Sequence, residues 1–479
     1  MNLAKKIILN TAVHTLGKFG ASFIGIFIVA ILTRYLGVTG YGAYTTIFTY
    51  LFFFAILSDL GLYVVTVNEL GRSEVGEEKF FNNIFSLRFF SALLLMIVAS
   101  ALAWFFPYSF LIKLGILIAA LSVFLNLLDQ VVVAFFQNKI EMTRVAVAEI
   151  TGKIITLGLT VLMVYLNQGL LWVLASVILG FSVNLGVNLV YLRKFIKLKF
   201  DFDFEIWRRI LVKAWPVAVT GIFSLIYFKA DTLFLSLLPL NEAYAFSNEE
   251  AVGIYGAPYK ILEVLIAWPA IFMGLISPLL ARAWAEKNIF DFGRIWQKAF
   301  DVLSIIIWPM IIGTLVLAKP LMIFIAGEDF ARSGTVLQIL IFAVGMIFLT
   351  HLTTYAIIAI GRQKNMIKFY VIAAILAVLG YVIFIPIYAY FAAAVITLAV
   401  EGFMLAATLY LLKKSIGIRI NTIIFGKAML AAVIMGYLLL FLLGINVILL
   451  VIIGALVYLG ILWLTGGINK NILKELKNK

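Results

Sequence analysis

Apolar runs of about 20 residues, the length that spans a bilayer as a helix, recur from one end of this chain to the other and limit its fold more than any other feature. A backbone facing lipid must satisfy its own hydrogen bonds, which leaves only helices and closed barrels. The runs are too long and too unalternating for barrel strands. Only 13% of the 479 residues are charged and 64% are apolar, against about 25% charged in an ordinary soluble domain. The expected fold class is therefore all-α, a polytopic membrane protein.

Fourteen candidate spans lie near 12 to 33, 43 to 67, 84 to 106, 111 to 136, 145 to 165, 169 to 192, 212 to 238, 252 to 280, 299 to 318, 335 to 358, 367 to 386, 389 to 412, 426 to 443 and 446 to 465. The first has lysines before it and no small-residue cleavage site after it, so it reads as a retained helix and not a signal peptide. Alternate loops divide the basic residues 28 to 4. The rich set comprises the amino terminus with Lys5 and Lys6, the loops after even-numbered spans, and the tail. By the positive-inside rule both termini are cytoplasmic, in a multi-pass protein of the cell (inner) membrane. The net charge of +14 is then a topology signal, and no nucleic-acid partner is expected.

Several chemistries are excluded. There is no cysteine, and histidine occurs only as His14 and His351, so disulfides, thiolate nucleophiles and His-rich zinc sites cannot form. The Gly-Lys pairs at Gly17, Gly152 and Gly426 lack the upstream glycine and following hydroxyl of a phosphate loop. No polar segment exceeds roughly twenty residues, too short for a catalytic domain outside the bilayer. The expectation is a protein that is not an enzyme and holds neither cofactor nor metal.

Internal repetition suggests two halves. Gly42-Ala43-Tyr44 opens the second span and Gly253-Ile254-Tyr255 the eighth, 211 residues later, while 137 to 144 and 361 to 368 are short basic turns after the fourth and tenth. Six spans is an even number, so two six-helix halves share one orientation and form a parallel repeat. The expected organisation is an N-terminal lobe 1–193, a basic cytoplasmic linker 194–211, a C-terminal lobe 212–413, and an additional helix pair with a basic tail, 414–479.

Ionisable residues inside spans are costly, about 2.5 to 3.5 kcal/mol at the bilayer centre on insertion scales, and so mark functional sites or paired interiors. The deepest are Asp59, Lys229, Asp231, Glu401 and His351; Lys18, Arg88, Asp129, Glu149, Lys153, Lys260 and Glu263 lie nearer an interface. Lys18, Arg88 and Lys153 have stems long enough to snorkel to the cytoplasmic side. Glu149 with Lys153, and Lys260 with Glu263, are spaced to neutralise each other on one helix face. Lys229 and Asp231 point differently and need partners on other helices. Asp59, in Ser58-Asp59-Leu60-Gly61, either caps a helix irregularity or binds an ion or substrate. Prolines 216, 269, 278 and 309 are candidate bends.

The stretch Asn10 to Arg72 carries RYLGVTGYGAY, then DLGL, then EL. YFKADTLFLSLL at 227 to 238 precedes VGIYGAPYKILEVLIAWPAIFMGLISPLLAR at 252 to 282, and LMIFIAGEDFARSGTVLQIL at 321 to 340 precedes GRQK at 361 to 364. Together these resemble the polysaccharide-biosynthesis, or oligosaccharidyl-lipid, flippases, in the superfamily that also holds multidrug exporters; O-antigen and capsule repeat-unit flippases are of this kind. The resemblance implies two six-helix lobes, often with an extra helix pair, and polyprenyl-diphosphate-linked oligosaccharide as substrate. Lipid II flippases are relatives with an arginine-rich first helix region, where this chain offers only Lys18 and Arg34.

A diphosphate sugar head cannot cross about 30 Å of hydrocarbon unaided. Lys18, Arg88, Lys153, Lys229 and Lys260 are the candidate cations for a substrate cavity, and Asp59, Asp231 and Glu401 the candidates for coupling to H+ or Na+. An ion-coupled multidrug exporter is the rival within the superfamily. The loop 193 to 213 suits orientation and contact with anionic membrane lipids, or, in a non-transporting scaffold, the docking of other polysaccharide-assembly proteins.

Overall fold

The computed structural model describes residues 3–59, 61–72, 76–241, 244–418 and 420–467, without the side chains of 3–9, 11, 12, 14, 16 and 216–228. Lys5, Lys6, His14, Pro216 and the lysines of the tail from 470 therefore lie outside the described side chains. Among the described residues the chain is helical and contains no strand: α1 Leu3–Asp59, α2 Leu62–Glu69, α3 Glu77–Leu102, α4 Phe110–Asn138, α5 Met142–Tyr165, α6 Leu170–Leu192, α7 Phe204–Leu237, α8 Asn248–Ala285, α9 Ile289–Ala326, α10 Ser333–Ala359, α11 Ile367–Ile416, α12 Ile423–Phe441 and α13 Val447–Leu464.

Eleven of the helical stretches are long and apolar enough to cross a membrane, two of them, Gly17–Asp59 and Gln363–Ile416, at double length. Each long stretch is divided where one residue leaves helical geometry: Gly37 (φ 67°) in α1 and Ala389 (φ 50°) in α11. With α7, which is 34 residues long, the described helices account for the fourteen spans expected. Gly37 and Gly61 (φ 79°) occupy conformations that glycine adopts without a Cβ penalty. Gly61 separates α1 from α2, which prolongs the second span. α7 begins earlier than its apolar run, because Asp203 caps it by accepting from the backbone N–H groups of Glu205 and Ile206.

The helices form two compact units: Met1–Gly256 with Ile385–Ala389, and Ala257–Phe384 with Tyr390–Lys479. Among the described residues of the first, two apolar cores stand out. One surrounds Phe81, Phe135 and Phe136, with Phe81 and Phe135 edge to face at 5.2 Å; the other surrounds Ile47, Tyr50, Ile112 and Ile116. Small residues admit close crossings, the usual device where lipid gives helices little hydrophobic reason to associate. A Cβ on Gly42 would lie 1.7 Å from the carbonyl oxygen of Glu249, and one on Gly253 2.1 Å from that of Val38. The two Gly-x-Tyr strings thus pack against each other where α1 meets the start of α8. The short segment 385–389 joins this unit through Asn241 N–H to Pro386 O at 2.9 Å and Tyr244 O–H to Ile387 O at 2.9 Å.

In the second unit α12 and α13 pack on α9. Tyr458 on α13 donates to Ile305 O at 2.7 Å, and a Cβ on Gly436 would lie 2.4 Å from the Ile312 side chain.

Candidate functional site

Among the described residues, three groups of ionisable side chains lie inside the first unit, each set by where its helices cross. The first is a tie. Arg88 on α3 is wholly buried, and it donates to Leu127 O (3.0 Å), to Ser58 O (2.9 Å) and to Gln130 Oε1 (2.9 Å), while pairing with Asp59 at 2.9 Å. Ser58 and Asp59 sit at the last turn of α1, where the Gly61 break frees carbonyls that a continuing helix would use. Arg88 satisfies one of them. Offered by the sequence as a cavity cation, Arg88 is instead committed to the unit's interior, with no surface for a diphosphate to meet.

The second group lies between α1, α4, α5 and α6. Asp129 on α4 is buried and accepts from Asn184 Nδ2 at 3.0 Å and Asn188 Nδ2 at 2.8 Å, both on α6. Glu149 on α5 is within electrostatic reach of Asp129, and also of Lys18 and Lys153. Gly152 and Gly180 bring α5 and α6 together, a Cβ on Gly152 falling 2.8 Å from Gly180 O. The amide oxygens of Asn184 and Asn188 are buried and have no hydrogen-bond partner among the described residues. Sequence reasoning named Asp129 and Glu149 but missed the asparagines, whose signal was an i,i+4 amide pair inside an apolar helix.

The third group joins α7 to α8. Asp231 is fully buried; Tyr255 O–H donates to it at 2.6 Å, Thr232 N–H at 2.6 Å and the Thr232 hydroxyl at 3.1 Å. Tyr255 belongs to the Gly253 crossing, so the close helix approach supplies the carboxylate's partner. Lys229, two residues away, is only half-buried, with its ammonium 6.0 Å from the Phe52 ring centre and in electrostatic reach of Asp231.

Within the second unit, Lys260 and Glu263 form the i,i+3 pair their spacing anticipates, at 2.7 Å. Glu401 on α11 is buried, in electrostatic reach of Tyr370, and among the described residues it has no ion pair. His351 packs its ring 6.3 Å from that of Tyr355.

The first unit therefore brings Lys229 to Asp231, Lys18 and Lys153 to Glu149, and Arg88 to Asp59; Lys260 and Glu401 lie in the second. What this arrangement supports chemically is neutralisation of anionic groups inside a helical membrane unit by half-exposed lysines, beside acids held by neutral donors.

Residues 7–284 match the model of a family described as polysaccharide biosynthesis protein. No curated protein sequence matches the chain. Among solved structures, the fold is similar to that of the lipid II flippase MurJ in an inward closed conformation, with TM-score 0.77 and 15% identity over 96% of this chain and 99% of that one. An inward-facing multidrug resistance MATE family transporter of the MOP superfamily gives TM-score 0.64 and 13% identity over 84% and 94%. The MATE transporter VcmN of Vibrio cholerae gives 0.56 and 13% over 86% and 98%. At such identities the likeness is one of fold.

Proposed function

Because the chain belongs to the polysaccharide biosynthesis protein family, we propose that it is a membrane transporter, not an enzyme, that flips polyprenyl-diphosphate-linked oligosaccharide repeat units from the inner to the outer leaflet for surface polysaccharide assembly. The observation that carries the reading is Lys229: a cation in the interior of a membrane-spanning helix, half-exposed although its neighbour Asp231 is fully enclosed. Keeping such a charge in the bilayer costs free energy, and a diphosphate would add charge-assisted contacts to the electrostatic interaction Lys229 already has with Asp231.

In this mechanism Lys18, Lys153, Lys229 and Lys260 offer successive contacts to the diphosphate while the polyprenyl tail stays in lipid. Two parallel lobes, 1–193 and 212–413, rock between inward and outward openings in the inner membrane, with both termini cytoplasmic. H+ or Na+ drives the cycle through Asp59, Asp231 or Glu401, and Asp129, beside the two buried amide oxygens of Asn184 and Asn188, joins that set.

The test is leaflet exchange of a fluorescent polyprenyl-diphosphate glycan in proteoliposomes, measured per folded molecule. Lys229→Ala is expected to slow exchange about tenfold, the loss of one charge-assisted contact, with an unchanged elution profile. An unchanged rate in the Lys229→Ala and Lys260→Ala double variant would reject the cationic mechanism. The likeness in fold to MATE transporters favours a second reading, ion-coupled export of small molecules, and dye efflux without lipid exchange would select it.

A further inference from the structure

The chain between α6 and α7 is held against α3 as an extended strap. Asn82 Nδ2 donates to Lys197 O (3.2 Å), Lys199 N–H to Asn82 Oδ1 (3.2 Å), Asp201 N–H to Ser86 Oγ (2.9 Å) and Asp203 N–H to Asn83 Oδ1 (2.8 Å). Asn82, Asn83 and Ser86 are all buried, so the strap's course is fixed by satisfied interior groups.

Two consequences follow from that course. Alternate side chains of an extended segment point the same way, and Phe200, Phe202 and Phe204 are all exposed, with Phe200 and Phe202 ringed by Phe89 and Phe90 at 5.1 to 6.1 Å. The first turns of α7 are apolar on two faces. Ile206, Ile210 and Ala214 enter the core, whereas Phe204, Leu211, Val212 and Trp215 line an open groove with Trp207 and Arg208. Phe204 is 73% exposed, Val212 67% and Trp215 63%.

The charges sort as sharply. Lys79 pairs with Asp203, Arg209 with Glu205, and Lys213 with Glu69. Arg193, Lys194, Lys197, Lys199 and Arg208 are exposed and make no ion pair among the described residues. Every carboxylate of the segment but Asp201 is thus already matched to a cation, and a surplus of positive charge borders an apolar groove.

We propose that this groove is a binding site for an anionic phospholipid, with an acyl chain along Phe204, Leu211, Val212 and Trp215 and the phosphate at Arg208, in the field of the four cations of the strap. Aromatic rings and basic side chains together suit the boundary between headgroups and acyl chains. The groove is apolar enough for a chain, and the unmatched cations select for a charged headgroup over a zwitterionic one. The site is independent of the transported substrate and survives if the flippase reading fails.

Native mass spectrometry of the full-length protein, released from micelles containing equal phosphatidylglycerol and phosphatidylcholine, tests it. The wild type is expected to retain phosphatidylglycerol preferentially. Arg208→Gln should cut that preference about fivefold, the effect of one cation at an anionic surface, and adding Lys197→Gln and Lys199→Gln should abolish it. Trp215→Ala should weaken retention of both lipids alike. All these side chains are exposed, so the melting temperature should be unchanged, and a melt on each variant checks that. Equal retention of the two lipids by the wild type, or an unaltered preference in the triple variant, overturns the proposal.

Discussion

Arg88 and Asp59 form an ion pair at 2.9 Å in which the arginine has no exposed surface and the aspartate keeps 28% of its own. The pair closes the break at Gly61, since the same guanidinium also holds Ser58 O. Removing one partner of a buried pair is destabilising by about 3 to 5 kcal/mol, because the other charge and its acceptors are left unsatisfied. Arg88→Ala is therefore expected to collapse folded yield, read by size exclusion and thermal unfolding. Arg88→Lys should rescue little, since one ammonium cannot reach four acceptors fixed in a fork. Asp59→Asn should be costly too, since it leaves the enclosed Arg88 charge without its counter-ion, although the three neutral acceptors remain.

The crossing at Gly42 and Gly253 leaves no room for a methyl group, both ideal Cβ positions falling within 2.1 Å of a backbone oxygen. Each alanine variant is expected to lose about 1 to 3 kcal/mol, the usual cost of overpacking. The two effects should not add. Once α1 and α8 have separated to admit one methyl, the second finds space, so the double variant should cost less than the sum of the single ones. Additive losses in thermal unfolding would mean the two sites do not share a contact.

Ala389 holds φ 50° and ψ −131°, a conformation that L-residues seldom adopt, while fully buried. Ala389→Gly removes the Cβ that makes this conformation costly, a strain of about 1 to 3 kcal/mol. The melting temperature is expected to rise or hold, the reverse of the usual effect of glycine in a helix. A clear fall would show that the methyl group's packing outweighs the backbone strain.

Asp203 ties the strap to α3 through Lys79 at 2.8 Å. The hydrogen bond from Lys79, helped by the backbone N–H of Ile206, holds its carboxyl below the ordinary carboxylate range. A group depressed in the folded state contributes stability that is complete above its unfolded value and is lost as pH falls through the folded one. Amide exchange of 197–203 should therefore accelerate below about pH 4, the ordinary range of aspartate. In Asp203→Asn that acceleration should disappear, and its persistence would place the titration elsewhere.

Much of the membrane fold was readable from local pattern. The fourteen spans follow from apolar length alone, and the Lys260–Glu263 pair from helical spacing, because both depend on residues close in sequence. The Arg88–Asp59 pair did not, since it joins side chains 29 positions apart whose helices cross only in the fold, and each residue alone reads as a site candidate. The buried carboxylate at 129 was visible while its asparagine partners were not, an amide inside an apolar run giving a weaker signal than a charge. The Gly-x-Tyr strings were noticed as an echo, but their mutual contact is a property of packing. The break inside α11 falls where the eleventh and twelfth spans were expected to meet, at 386 to 389, but nothing about an alanine singles it out as the residue that leaves helical geometry.

The segment 385–389 gives the first unit a delayed completion. Asn241 and Tyr244 take partners, Pro386 O and Ile387 O, that the ribosome supplies much later; at about 5 to 20 residues per second the wait is on the order of ten seconds. During it Asn241 and Tyr244 are already synthesised while their acceptors are not, so the first unit cannot be completed before residues 385–389 are made. A chain released early, after its eighth helix, would present both donors unmatched. Quality control that senses unmatched backbone donors would then have a timer built into the order of synthesis.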